Sequence, residues 1–329
     1  MKDKLPMFLA ILLYILIYLL RSQQAPLGGV KMDLDLFQNQ RQAFDQKISN
    51  LLPSPQAELL SGILLGQNKN LPGKLKLSLR DTSTLHIVVA SGQNLTILAG
   101  FFLSLSGLIK RKTALILSLG AVIFYTLLSG MQIPILRAAI MFSLAAIAQF
   151  TGRQRQGLWV LLLTAGSMLL VNPAWLKSLS FQLSFLATFG VMAISPILLK
   201  VFHKLPIIGA DLAVTLAAQL MVTPIIAQNF HQISLVSLIT NVLILWTIPF
   251  LMIGGGLMLI ISAVSQSIGG LMSILINAVL TYFIYIVQFF ASMPFAWEYV
   301  GEQGVIVWIG YYLILTGVLW ALEKSSKEF

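Results

Sequence analysis

Leu85-His86-Ile87-Val88-Val89-Ala90-Ser91-Gly92-Gln93-Asn94-Leu95-Thr96-Ile97-Leu98 sets four polar side chains inside an apolar stretch. Lipid offers His86, Ser91, Gln93 and Asn94 no hydrogen-bond partner, and each group left unpaired at membrane depth costs several kcal/mol. Gly92 adds a point where a helix breaks easily. A polar break at that depth is tolerated where it faces other protein or a watery cavity. The stretch therefore reads as a broken helix in the interior of a membrane bundle. His86, Ser91, Gly92, Gln93 and Asn94 are its candidate lining residues.

The rest of the chain agrees with that setting. Of 329 residues, 57% are hydrophobic and 10% charged, whereas a soluble domain carries about 25% charged residues. The fold class expected is all-α: a polytopic transmembrane helix bundle of about ten spans at about 20 residues each, with broken or re-entrant helices. The absence of cysteine excludes disulfides and thiolate metal sites. The three histidines, His86, His203 and His231, are too scattered for an imidazole cluster. Neither a metal nor a cofactor is expected. The net charge of +10 reads first as basic loops that fix orientation, and second as attraction to a polyanion or to anionic lipid.

Residues 1–21 read as a transmembrane anchor, Leu5 to Leu20 behind Lys2 and Lys4, with no small-x-small cleavage site. Residues 22–83 form the one sizeable polar region, a short external N-terminal region. Phe37, Phe44, Ile48, Leu51 and Leu52 predict an amphipathic helix there, ended by Pro53 and Pro55. Glu58 to Leu65 predicts a short apolar helix stopped near Gly66. Leu75, Leu77 and Leu79 alternate with polar residues, as in a strand or a segment lying on the membrane surface. Residues 84–323 hold the main transmembrane domain, with spans near 84–108, 113–130, 133–150, 157–171, 179–199, 209–227, 233–263, 270–291 and 304–322; residues 324–329 are a short tail. The span at 233–263 is too long for one straight crossing, and Pro249 with Gly254-Gly255-Gly256 predicts a kinked or re-entrant pair. Lys110-Arg111-Lys112, Arg153, Arg155, Lys200, Lys204, Lys324 and Lys327 fall on alternate connections and Lys177 alone on the others. That bias places both termini in the cytoplasm.

Polar residues recur at helical spacing. Asp211, Thr215, Gln219 and Thr223 share one helix face, as do Ser273, Asn277, Thr281, Tyr285 and Gln288. Gln182 and Ser184 punctuate the sixth span, and Ser234, Ser237, Thr240 and Asn241 open the eighth. Taken singly, each reads as interhelical glue; together they read as a shared polar interior. Arg137 is the sharpest residue, because a charge inside a span marks a functional site by default. Asp211 is its one candidate acidic partner and lies near a span end. Arg137 therefore reads either as a phosphate contact or as a side chain snorkelling to the interface. Arg153 and Arg155, with Lys110 to Lys112, read as headgroup contacts or as a receiver for a nucleic-acid backbone. Phe181 and Phe185 flank Gln182 and read as packing or as base-stacking platforms.

His86, Ser91 and Gly92 resemble the His-Leu-x-x-x-Ser-Gly-Leu-His helix of the ComEC competence proteins, with Gln93-Asn94 standing where that family has Leu-His. Three further stretches agree in order. Pro134-Ile135-Leu136-Arg137-Ala138 resembles the family's Pro-x-x-Arg-Ala. Asn172-Pro173 with Phe181-Gln182-Leu183-Ser184-Phe185 resembles its Asp-Pro…Phe-Gln-Leu-Ser-Phe. Ser237 to Asn241 before Pro249 resembles its Ser-x-x-x-Asn…Pro. The resemblance implies that 84–323 is a competence-type channel domain of the inner (cytoplasmic) membrane, translocating single-stranded DNA during natural transformation. His86, Ser91, Gly92, Gln93, Asn94, Arg137, Gln182, Ser184, Gln219, Asn241, Arg153 and Arg155 would line the path or contact the strand. It implies as partners single-stranded DNA, the lipid bilayer, a cytoplasmic DNA-translocating ATPase and an external DNA receptor. Many members also carry an oligonucleotide-binding domain and a metallo-β-lactamase-like domain with a His-x-His-x-Asp-His signature. The three histidines here cannot form that signature, so the chain resembles the membrane core alone: either a truncated or minimal member, or one whose other parts, a separate nuclease among them, are other polypeptides.

No P-loop and no zincin motif is present, so no motor and no metalloprotease is expected. The alternative to the channel is a secondary transporter or a flippase for a lipid-linked substrate, with a polar site at the midplane. An intramembrane hydrolase built on Ser91 and His86 fits poorly, because residues five apart do not face each other on a regular helix. No catalytic residue is therefore expected.

Overall fold

In the computed structural model the described residues are 14–15, 17–18, 20–22, 37–67, 70–88, 91–152, 156–205 and 208–325. They build an all-helical bundle whose only sheet, among these residues, is one short ribbon. The helices before the long spans are α1 (Gln38–Leu51), α2 (Gln56–Leu65), α3 (Gly73–Asp81) and α4 (Leu85–Val88). Next come α5 (Gly92–Ser104), α6 (Arg111–Leu128), α7 (Ile133–Phe150) and α8 (Gly157–Val171). The C-terminal half holds α9 (Leu179–Ala193), α10 (Ser195–Val201), α11 (Gly209–Phe230), α12 (Ser237–Leu245), α13 (Thr247–Val264), α14 (Gln266–Ala291) and α15 (Val305–Ser325). Strand β1 (Gln232–Ser234) pairs antiparallel with β2 (Trp297–Tyr299), with Ile233 opposite Glu298.

Among the described residues six helices are long and apolar enough to cross a bilayer: α6, α7, α11, α13, α14 and α15. The pair Leu179–Ala193 and Ser195–Lys204, bent by 47°, makes a seventh if it is one span. Three expected spans fall outside this set. The span expected at residues 5–20 lies mostly outside the described residues. The span expected at 84–108 is broken. Helix α8 has 15 residues, short of a full crossing by length alone.

The core sits around α2. Eight of its ten residues are buried, including Leu59, Leu60 and Ile63, because a helix apolar all round has no face to give to water. It ends at Gly66, whose φ of 72° is a left-handed conformation that glycine adopts without strain. Leu60 and Leu64 pack against Gly255 of α13, and Gly62 lies against Val88. The same cluster takes in Ile48 of α1, Leu75 and Leu79 of α3, Tyr125 of α6, Ile135 of α7 and Phe283 of α14. The region 22–83, expected as an external appendage, thus supplies helices to the centre of the bundle.

Two local expectations change. Leu71 to Leu79 is neither strand nor loose surface segment: α3 buries Leu75 and Leu79, one turn apart, and leaves Leu77 outside. The alternating pattern contains an i, i+4 pair, and the core selected that pair. The break in 233–263 falls at Trp246, between α12 and α13. Pro249 sits in the first turn of α13, where its missing N–H costs no hydrogen bond. Gly254 to Gly256 run inside an unbroken helix. Gly254 and Gly255 serve close packing, since a Cβ on Gly254 would lie 2.9 Å from Ile276 Cδ1.

Candidate functional site around Arg137

The expected break in the opening stretch is present, and Ser91 forms it. Ser91 is extended (φ −104°, ψ 159°), and its hydroxyl accepts from the Asn94 amide, capping α5. Gly92 begins the helix after the break and is small for a different reason. A Cβ on Gly92 would lie 2.9 Å from Arg137 Nη2 and 3.2 Å from the Ala138 Cβ. The guanidinium of α7 thus rests against the first turn of α5, the positive end of that helix's dipole.

Arg137 is half-buried, and its partners come from α9 and its own helix. Its Nε donates to Ser184 Oγ at 2.7 Å, one Nη donates to the Thr188 hydroxyl, and the same nitrogen lies 3.6 Å from Met141 Sδ. The guanidinium carbon stands 5.9 Å from the Phe185 ring centre. No carboxylate among the described residues pairs with it, since the ion pair there is Arg80–Asp81. Asp211, the candidate partner, is exposed. A cation held by two hydroxyls, a thioether and a ring face, beside a helix N-terminus and without a carboxylate, keeps its charge uncompensated and suits an anion.

The buried Asn94 has a structural task. The last four carbonyls of a helix lack intrahelical partners, and the end of α2 is inside the core. Asn94 Nδ2 donates to Ile63 O at 3.0 Å, Tyr125 Oη to the same oxygen at 3.3 Å, and Gln132 Nε2 to Gly66 O at 3.0 Å. Ser91 Oγ in turn donates to Asn94 Oδ1 at 3.0 Å. Gln93 is exposed.

A second polar seam lies between α11 and α12. Ser237 Oγ donates to Gln219 Oε1 at 3.0 Å, and Thr223 Oγ1 to the Gln219 carbonyl at 2.7 Å. Asn241, 4% exposed, has a buried Oδ1 that accepts no hydrogen bond.

Of the expected site residues, Gly92, Arg137 and Ser184 come together. Ser91 and Asn94 form the adjoining cap, and Gln219 and Asn241 belong to the seam. Gln182 donates to the Leu176 carbonyl at 3.0 Å. His86 is exposed, with Nδ1 2.8 Å from the Ser83 carbonyl; its hydrogen bond and those of Ser91 lead apart, so no Ser–His pair forms. Arg153 and Arg155 lie outside the described residues. Phe181 is buried against Phe185, ring centres 4.3 Å apart. Sequence reading missed Thr188, although its position one turn after Ser184 puts both hydroxyls on one face. It also missed Tyr125, for which no local signal exists. A cavity of about 410 Å³ is lined by Leu103, Ser106, Arg111 and Gln149, and one of about 260 Å³ lies between α6 and α7; neither contains Arg137.

Residues 63–325, which carry both polar sites, match the family model described as Competence protein. The chain belongs to the Competence protein family. This Competence chain is 25% identical to ComE operon protein 3 of Bacillus subtilis (strain 168) over 281 residues, 84% of the chain and 36% of that protein. It is 27% identical over 226 residues to the Uncharacterized protein YcaI of Escherichia coli (strain K12), covering 62% of the chain and 29% of that protein. It spans about a third of the length of these curated relatives. No solved structure matches. With its apolar helices and this family, the chain is a multi-pass membrane protein.

Proposed function

We propose that this Competence chain is the channel that passes single-stranded DNA across the cytoplasmic membrane during natural transformation. The observation that carries the reading is Arg137: a cation inside the bundle, held by Ser184 and Thr188 with no carboxylate partner among the described residues. A phosphodiester supplies the missing anion, and a contact to backbone phosphate is indifferent to base sequence. Family membership supplies the process, competence. Gln219, Ser237 and Asn241 offer a second polar surface for the strand. These residues hold no P-loop, so a cytoplasmic ATPase supplies the pull; an external receptor delivers the strand and a nuclease removes its complement. The basic connections support a cytoplasmic position for both termini.

One feature favours a second reading. Arg137 is closed in by Ser184, Thr188, Phe185 and Met141 and lines no wide path, and an enclosed cation suits the single phosphate of a lipid-linked substrate in a flippase or transporter. Uptake of labelled DNA separates the two. On the channel reading, Arg137→Ala leaves DNA bound outside and lowers its arrival in the cytoplasm by about tenfold or more, on the order of one lost charged hydrogen-bonding site. Arg137→Lys, which keeps the charge without the fork, retains part of it. Normal import by Arg137→Ala overturns the channel reading.

A further inference from the structure

Helix α11 contains Pro224, buried and well inside its 22 residues. Proline has no N–H, so the carbonyl one turn before it, that of Leu220, loses its helical donor. Two side chains of the last helix serve the carbonyls there. Tyr311 Oη donates to Leu220 O at 2.9 Å, and Tyr312 Oη donates to Met221 O at 2.9 Å. One turn earlier on α15, Trp308 Nε1 donates to Gln228 Oε1 at 3.0 Å.

Helix α15 lies at the edge of the bundle. None of its described residues is buried, and it packs through Leu315 and Leu319 on the small cluster of Ile194, Leu198, Ala213 and Ala217. Helix α11 packs on α9, which carries part of one polar site, and forms one side of the other. On one side Gly190 of α9 comes so near that a Cβ there would lie 2.6 Å from Ala217 O and 2.7 Å from Met221 Cγ. Backbones that close move together, and α9 carries Ser184 and Thr188 of the Arg137 pocket. On the other side Gln219 meets Ser237 at the seam, and the buried Asn241 lies one turn further along the same face of α12.

We propose that Tyr311 and Tyr312 are a releasable latch on α11 at Pro224, where the helix lacks one backbone hydrogen bond, and that its release opens the α11–α12 seam and loosens the α9 side of the Arg137 site. A missing backbone hydrogen bond weakens a helix locally, and a pair of hydroxyls from a neighbour at the edge of the bundle holds it without fusing the two. The latch rests on the channel reading for its purpose, since it would regulate access to the same site.

The chain has no cysteine, so Asn241→Cys is a lone thiol that reports opening of the seam in membrane vesicles through its reaction with a water-soluble maleimide. The rate is low with both tyrosines present. Tyr311→Phe with Tyr312→Phe raises it about tenfold, the scale of losing two half-buried hydrogen bonds. Adding Pro224→Ala returns it towards the starting rate, because the alanine brings back a backbone N–H for the Leu220 carbonyl. Tyr311→Phe alone gives a smaller rise and serves if the double variant does not accumulate. An unchanged rate in the phenylalanine variants overturns the latch, and so does a raised rate that Pro224→Ala leaves untouched. DNA import is measured in parallel, in cells whose variants keep Asn241. Labelling that follows the latch while no variant, Arg137→Ala included, changes import keeps the latch and rejects the channel. Import that needs Arg137 while labelling ignores the tyrosines does the reverse.

Discussion

Arg137 and Gly92 act as one unit. A methyl group at residue 92 would meet the far end of a flexible side chain at 2.9 Å and the Ala138 Cβ at 3.2 Å. The guanidinium yields more easily than the backbone, so Gly92→Ala displaces the charge from Ser184 and Thr188 before it disturbs the fold. The expected outcome is a stability loss of about 1 kcal/mol or less with a loss of DNA import close to that of Arg137→Ala. Thermal unfolding in detergent and import assays on the same variant check both halves. A large drop in stability with normal import would mean that the glycine serves packing alone. Part of this was legible in the sequence: an intramembrane Arg with Asp211 as its one candidate partner singles itself out. Its hydroxyl partners were half legible, since Ser184 stood out and Thr188 did not. The reason for glycine at residue 92 was not legible, because it lies on another helix, far along the chain.

Helix α2 ends inside the protein, and its orphan carbonyls need donors from elsewhere. Asn94 and Tyr125 share the Ile63 carbonyl, so each covers in part for the other. Asn94→Ala is expected to cost about 2 kcal/mol and Tyr125→Phe about 1 kcal/mol. The double variant should cost more than the sum, because the carbonyl is then left with no donor. A double-mutant cycle read by thermal unfolding tests this, and strict additivity would show that the two bonds do not share the carbonyl's desolvation. Other helix ends follow the same rule with cations. Arg21 donates to the Leu170 carbonyl at the end of α8, and Arg41 Nε donates to the Leu128 carbonyl at the end of α6 at 2.7 Å. Positive charge at a helix C-terminus is favoured by the dipole as well as by the orphan oxygens.

Charge is distributed unevenly over the two ends of the bundle. Between Lys204 and Lys324 there is no Lys or Arg. Helices α11, α14 and α15 run between the end that carries Lys200, Lys204 and Lys324 and the end that carries the β1–β2 ribbon with Glu298 and Glu302. The positive-inside rule then puts the ribbon outside. The expected result is that Glu302→Cys reacts with a membrane-impermeant maleimide in intact cells, while Lys112→Cys reacts only after permeabilisation. The opposite pattern would invert the bundle and remove the assignment of both termini to the cytoplasm.

The amino-acid sequence by itself determined the solvent and the class of fold. A chain that is 57% hydrophobic and 10% charged can satisfy its backbone in lipid only as helices or as a closed barrel, and its long apolar runs choose helices. It also determined the local stops at Pro53 and Gly66, because turn and cap preferences act over a few residues. The tertiary structure alone decided that α2 is the centre and not part of an appendage, that the break after β1 falls at Trp246, and that Gly254 and Gly255 pack where a kink was expected. It alone joined Gly92, Arg137, Ser184 and Thr188, and gave the carbonyls next to Pro224 to Tyr311 and Tyr312. Each of these depends on which donor and which small residue arrive from another helix, and hydropathy and spacing along one segment carry no record of its neighbours in space.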